Sequence, residues 1–421
     1  MPGASWAAAR WVLPALVVLV GLSTFLATRD ERRAAYPVWV AISAQWHEAL
    51  WTTGPIVAAA SAALAAAAPG PWRPAVLAWR GLAVAAWCSL GHGLGLLPLL
   101  VSGWRGATSG GLDVQDVVVG LSGLGVLAVG GCCVGAVIRH WTVVPVVAVV
   151  TFVLLALPQA PLLRPLGLVL PVRHFVASAR FEPNLATTLF AVIAGTVLCL
   201  FATHLAAVAI AGAPAGNPDR SARDGALSWG AAAVVLVAVA FAWRPELYVV
   251  DRPVPQQCEQ TRVRVCLHPA NRSATDEIQA VLSALDAAGA TTGLQQVTDL
   301  AVADRDAPLA GEVLLRLDPG PVPPGTVGTL ADQVAYQVTG TLLLGSCAAG
   351  SRQSAAFATA VQRRVLQVAG FSRLADAVGP ADDEPAARAL AALDASGLTR
   401  FLRTHHAAVA SCTLSPAALP V

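Results

Sequence analysis

"DVVVGLSGLGVLAVGGCCVGAVI", Asp116 to Ile138, carries an acid at its first position and no charged residue after it. A bilayer core of about 30 Å needs about 20 apolar residues in helical form, because in lipid every backbone N–H and C=O must be paired internally. This stretch is therefore expected to span a membrane. Working outward, similar runs occur near Trp11 to Ala27, Leu50 to Ala68, Gly81 to Val101, Thr142 to Gln159, Leu185 to Ala211 and Leu227 to Trp243. The first is short but has no small-residue cleavage site leading into a soluble domain, so it reads as a span and not as a signal peptide. Trp39, Trp46 and Trp51 fit an interfacial aromatic belt.

Composition agrees. Of 421 residues, 56% are apolar and 12% charged, too greasy for an ordinary soluble enzyme. Every cation is Arg, since the chain has no Lys. A P-loop needs Lys on the nucleotide phosphates and a Schiff-base enzyme needs a Lys amine, so neither activity can reside here. Thirteen Arg face 8 acids before position 244, and 14 Arg face 17 acids after it, which makes the first part basic and the second mildly acidic. The expected architecture is an α-helical polytopic membrane bundle of about seven spans over 1–243, a Pro-rich linker over 244–257 and a compact extracytoplasmic α/β domain over 258–421.

In that last part, "TRVRVCLH" (Thr261–His268) alternates polar and apolar residues with the period of a strand. "LQQVTDLAV" (Leu294–Val302) and "EVLLRLDPG" (Glu312–Gly320) also read as strands. Helical patterns run over Thr275–Ala288, Leu330–Leu344, Gln353–Val368, Glu384–Ala395 and Leu398–Ser411. The linker "RPELYVVDRPVPQQC" should hold this domain just off the membrane.

Arginine placement does not orient the bundle. With the N-terminus inside, six Arg fall in the cytoplasm and seven outside. Four cysteines, Cys258, Cys266, Cys347 and Cys412, lie in the soluble part, and an even count suits an oxidising exterior. An odd number of spans then puts the N-terminus in the cytoplasm. Disulfides between the neighbouring pairs Cys258–Cys266 and Cys347–Cys412 are the first choice of three connectivities. The alternative use is a metal held by Cys266, His268, His405, His406 and Cys412, although their spacing matches no compact zinc signature.

Other polar groups have blander readings. "WHEALW" (Trp46–Trp51) lacks the second His of a metalloprotease helix, so His47 and Glu48 read as interfacial residues. Within the spans the ionisable groups are His92 and His204, with Asp116 at an edge, and helix-to-helix hydrogen bonds are the expected use of the histidines. So thin an inventory argues against an ion-coupled carrier. Gly91 with Gly95 and Gly131 with Gly135 have GxxxG spacing, which allows close helix approach within the bundle or across a homodimer or heterodimer. No nucleophile, base and orienting group can be assembled from spacing, so no catalytic residue or cofactor is expected.

The short span and polar loop at the N-terminus, "VCLHPANR" (Val265–Arg272) and "FLRTHHAAVASCTL" (Phe401–Leu414) together resemble permease-like membrane proteins of the ABC-2 exporter class in high-GC Gram-positive bacteria, in a subgroup ending in an extracytoplasmic domain. The resemblance implies a non-catalytic export subunit in the plasma membrane, served by a separate ATPase. It places partner docking on the connection from Pro71 to Arg80, with Trp72, Arg73, Trp79 and Arg80. A membrane-anchored receptor or scaffold whose exported domain binds a ligand or envelope protein is the alternative. The partners in either case are membrane lipid and protein, not nucleic acid.

Overall fold

The computed structural model describes residues 3–29, 31–33, 37–68, 73–157, 181–211, 220–243, 248–250, 254–303, 305, 307–317, 329–344, 352–378, 384–411 and 413. The chain divides into two compact units, with the boundary after residue 251.

The first unit contains helices α1 (Gly3–Ala27), α2 (Trp39–Glu48), α3 (Leu50–Ala67), α4 (Pro74–Gly106), α5 (Val114–Ile138), α6 (Val143–Ala156), α7 (Leu185–Ala211) and α8 (Arg220–Trp243). Five helical stretches are long and apolar enough to cross a membrane: Trp39–Ala67, Pro74–Gly106, Val114–Ile138, Leu185–Ala211 and Ser221–Trp243. The other two expected spans correspond to the shorter apolar helices Trp11–Ala27 and Val143–Ala156. At 1.5 Å per residue, the latter rises only about 21 Å. The bundle's outer surface is apolar, with Leu94, Leu189 and Val234 exposed at 53%, 53% and 70%. Water would penalise such a surface, whereas hydrocarbon tails match it.

Helix α5 is the hub, packing against α2, α3, α4, α6 and α7. Its glycines make this possible. A Cβ on Gly131 or Gly135 would lie 2.2 or 2.1 Å from the carbonyl oxygens of Ala58 and Ala62 on α3. Gly91 and Gly95 of α4 meet Val17 and Gly21 of α1 in the same way, each with a carbonyl oxygen 2.5 Å from where a Cβ would stand. Both GxxxG pairs thus serve packing inside one chain, where the absence of side chains lets backbones approach.

A two-stranded antiparallel ribbon, β1 (Phe181–Pro183) with β2 (Tyr248–Val250), belongs to the same unit. Its second strand falls within 244–257. Tyr248 is buried at 2% exposure, with Ala44 and Val119 of the bundle beside it.

The second unit holds a four-stranded sheet in the order β3 (Gln257–Gln260), β4 (Arg264–Leu267), β5 (Gln296–Asp299), β6 (Glu312–Leu315). The first pair is antiparallel and the rest are parallel. Helix α9 (Thr275–Ala287) makes the crossover from β4 to β5, as parallel pairing requires. Val265, Val297 and Val313 stand in register across the three parallel strands, each at most 1% exposed. Around the sheet are α10 (Leu330–Leu344), α11 (Arg352–Val368), α12 (Ser372–Ala377), α13 (Glu384–Ala391) and α14 (Ala395–Ala410). The expected α/β character is present, and all three expected strands fall within the predicted stretches.

Candidate functional site

The polar group that stands out lies at one end of the bundle. The sequence Val38–Glu48 enters as α2, turns at Ala49 and continues as α3, so His47 is carried inward at the junction. Asp113 caps α5, its Oδ1 accepting from the Gln115 N–H at 2.7 Å, and this sets Asp116 on the first turn. Tyr248 comes from β2.

These three side chains form a chain of hydrogen bonds. The Tyr248 hydroxyl donates to Asp116 Oδ1 at 2.8 Å. With that proton committed, the tyrosine oxygen accepts from His47 Nε2 at 2.7 Å. His47 Nε2 also lies 3.6 Å from Asp116 Oδ1. His47, Asp116 and Tyr248 are 0%, 1% and 2% exposed. Two atoms of the group, His47 Nδ1 and Asp116 Oδ2, are buried with no hydrogen-bond partner among the described residues. Burial and the neighbouring Asp116 carboxylate push the Tyr248 phenol well above its ordinary pKa, so it stays a hydroxyl and can both donate and accept.

His47, read from the sequence as an interfacial polar residue, has its ring enclosed and bonded to Tyr248, far along the chain. Asp116 stands at the edge of its span, on the first turn of α5, and is buried there beside His47, so the bundle contains a carboxylate next to an ionisable partner.

One residue earlier on α2 begins a second, fully occupied arrangement. The Trp46 carbonyl can only accept, so His92 Nε2 donates to it at 3.1 Å. In the neutral ring, Nδ1 then accepts from the Thr24 hydroxyl at 2.9 Å. His92 of α4 thereby ties α1 to α2, the inter-helix role expected of it. His204 instead donates from Nδ1 to the Leu200 carbonyl of its own helix at 2.8 Å.

In the second unit, two buried carboxylates sit at the strand ends. Asp299 Oδ2 accepts from Asn271 Nδ2 at 2.6 Å and from the His268 N–H at 3.3 Å, while Oδ1 accepts from the Ala301 N–H at 2.9 Å. Desolvation raises the Asp299 carboxyl above its usual range against the pull of those donors. Glu312 is desolvated too, but hydrogen bonds from Arg305, Thr298 and the Leu309 N–H hold it below the usual range. The "VCLHPANR" segment therefore has a structural reading: His268 and Asn271 fasten the turn after β4 to the end of β5.

Cys258 and Cys266 face each other across β3 and β4 and are joined as a disulfide, with Cα atoms 4.0 Å apart. Cys347, Cys412 and the side chain of His406 lie outside the described residues. His268 Nδ1 accepts from the Ala270 N–H, and His405 packs its ring on Phe401 with centroids 5.0 Å apart. Among the described residues, no group of three or more His, Cys, Asp and Glu is placed to hold a metal.

Of the docking residues, Trp72 lies outside the described residues. Arg73 is the exposed residue before α4, and Trp79 stands 74% exposed on its first turns. Arg80, next in sequence, is half-buried.

Fold and site together define a helical membrane-type bundle carrying a buried His–Tyr–Asp group and followed by an α/β unit. Comparison of the chain with known protein families, with curated proteins and with solved structures finds no match.

Proposed function

We propose that this chain is a non-catalytic, permease-like membrane subunit of an ABC-type export system, powered by a separate ATPase. The observation that carries the reading is the start of α4, where exposed Arg73 and Trp79 follow the short α3–α4 connection on an apolar bundle. A cation and an aromatic ring on a helix end are chemistry suited to docking a soluble partner. The lack of Lys supports the same reading, because energy from nucleotide hydrolysis would have to come from another chain.

In this proposal the bundle makes seven crossings of the plasma membrane, the N-terminus is cytoplasmic and the α/β unit is outside. The Cys258–Cys266 disulfide supports an oxidising location for that unit. Purification of the full chain from its native membrane in mild detergent is the test. Stoichiometric recovery of a P-loop ATPase, weakened by Trp79→Ala with Arg73→Ala, is the expected outcome; recovery without any ATPase would contradict it. Labelling intact cells with a membrane-impermeant thiol reagent, before and after reduction, tests the topology: new labelling at Cys258 and Cys266 only after reduction is expected.

A receptor or scaffold is the second reading, favoured by the size of the α/β unit and its own apolar core around Val297, Val313 and Phe357. Isolating that unit requires a cut after residue 251, since an earlier cut removes Tyr248 from His47 and Asp116.

A further inference from the structure

The His47–Tyr248–Asp116 group can hold one proton more or one proton fewer without any change in its heavy-atom contacts. In the lower state, His47 is neutral with its proton on Nε2, Tyr248 is a hydroxyl and Asp116 is a carboxylate, for a net charge of −1. Adding one proton to the unpartnered Nδ1 gives an imidazolium facing a carboxylate, with net charge zero. From there two concerted transfers are balanced: the Nε2 proton moves to the tyrosine oxygen as the tyrosine proton moves to Asp116 Oδ1. The product is a neutral imidazole protonated on Nδ1, a tyrosine hydroxyl and a carboxylic acid, again with net charge zero. The two bridging distances, 2.7 and 2.8 Å, are those of direct hydrogen bonds along this path.

Among the described residues, Asp116, Glu48 and Asp113 are charged groups that act on Tyr248. From α2, Glu48 accepts from Gln45 Nε2 at 2.6 Å. From α5, Asp113 is the capping residue and Gln115 Oε1 accepts from Thr188 of α7 at 3.1 Å. Glu182 of β1 is exposed, and His92 of α4 is occupied by Thr24 and the Trp46 carbonyl.

We propose that His47, Tyr248 and Asp116 form a single-proton binding site in which the Tyr248 hydroxyl relays the proton between imidazole and carboxylate. Loading and unloading change the charge beneath Tyr248, so proton occupancy bears on how firmly β2 is held to the bundle. This proposal stands independently of the export reading.

Infrared difference spectroscopy of the full chain in lipid nanodiscs, stepped between about pH 8 and about pH 5, tests it. The wild type should gain a protonated-carboxyl C=O band and an imidazole ring signal that follow one common transition. Asp116→Asn should remove a carboxyl band that Glu48→Gln, Asp113→Asn and Asp299→Asn leave in place. Tyr248→Phe should separate the carboxyl and imidazole transitions. A wild type with no such band, or with carboxyl and imidazole signals titrating independently, would overturn the proposal even if every variant failed to fold. So would a carboxyl band that is unchanged in Asp116→Asn.

Discussion

The two units bury their carboxylates in opposite ways. Asp299 and Glu312 of the α/β unit are enclosed by donors on both oxygens, and each fastens one loop to one strand end. Asp116 of the bundle is as deeply buried, yet one of its oxygens has no partner among the described residues, and its other bond runs to a tyrosine that also serves a histidine. A fully satisfied buried acid rigidifies a turn, while a partly satisfied one keeps chemistry in reserve. The bundle also differs in what holds it together. Its helices approach through backbone, at Gly131 and Gly135 of α5 against α3, whereas the α/β unit is held by branched side chains around its sheet.

The largest effect should come from overpacking the bundle. Gly135→Leu would force a side chain into the Ala62 carbonyl, and neither backbone can yield easily. Loss of the folded bundle is expected by detergent-resistant size-exclusion profile, with the α/β unit's own melting transition retained. Equal loss of both transitions would mean the two units do not fold separately.

Next is Asp299→Ala, which orphans the donors of Asn271, His268 and Ala301 at once. A cost of about 2–4 kcal/mol in the α/β transition is expected from denaturant unfolding. Breaking the Cys258–Cys266 bond by Cys258→Ser with Cys266→Ser should cost roughly 2.5 kcal/mol, the chain-entropy value for so short a loop. Both changes should leave the bundle's transition unmoved.

The smallest effect is a pH dependence. Glu312 has its carboxyl held below the usual range in the fold, so its contribution is present above the unfolded-state pKa and is lost as pH falls through the folded one. Asp299 has the opposite sign: its raised carboxyl adds stability below the unfolded pKa, and this is lost as pH rises through the folded value. Urea midpoints taken across the acid range for Glu312→Gln and for Asp299→Asn should therefore shift in opposite directions relative to the parent chain.

Much of the architecture is legible in the residues. Chargeless apolar runs mark the membrane-type helices, and the period-two pattern of "TRVRVCLH" marks β4. The GxxxG spacing announces close helix approach, although only the fold tells that the partner helices are in the same chain. The His–Tyr–Asp group was hidden by distance: His47 and Tyr248 are 201 positions apart, and Tyr248 and Asp116 are 132 apart. Local context misled as well, because His47 sits between Trp46 and Glu48, a pattern equally at home at a membrane surface. The available signal was a lone acid opening a span that has no other charge, and a tyrosine in a stretch that otherwise reads as linker.

His47, Tyr248 and Asp116 are expected to act as one buried unit. A double-mutant cycle measures this directly, with His47→Gln and Asp116→Asn made singly and together and the bundle's unfolding followed in one detergent. A coupling of about 1 kcal/mol or more is predicted, whereas effects that add within about 0.5 kcal/mol would contradict it.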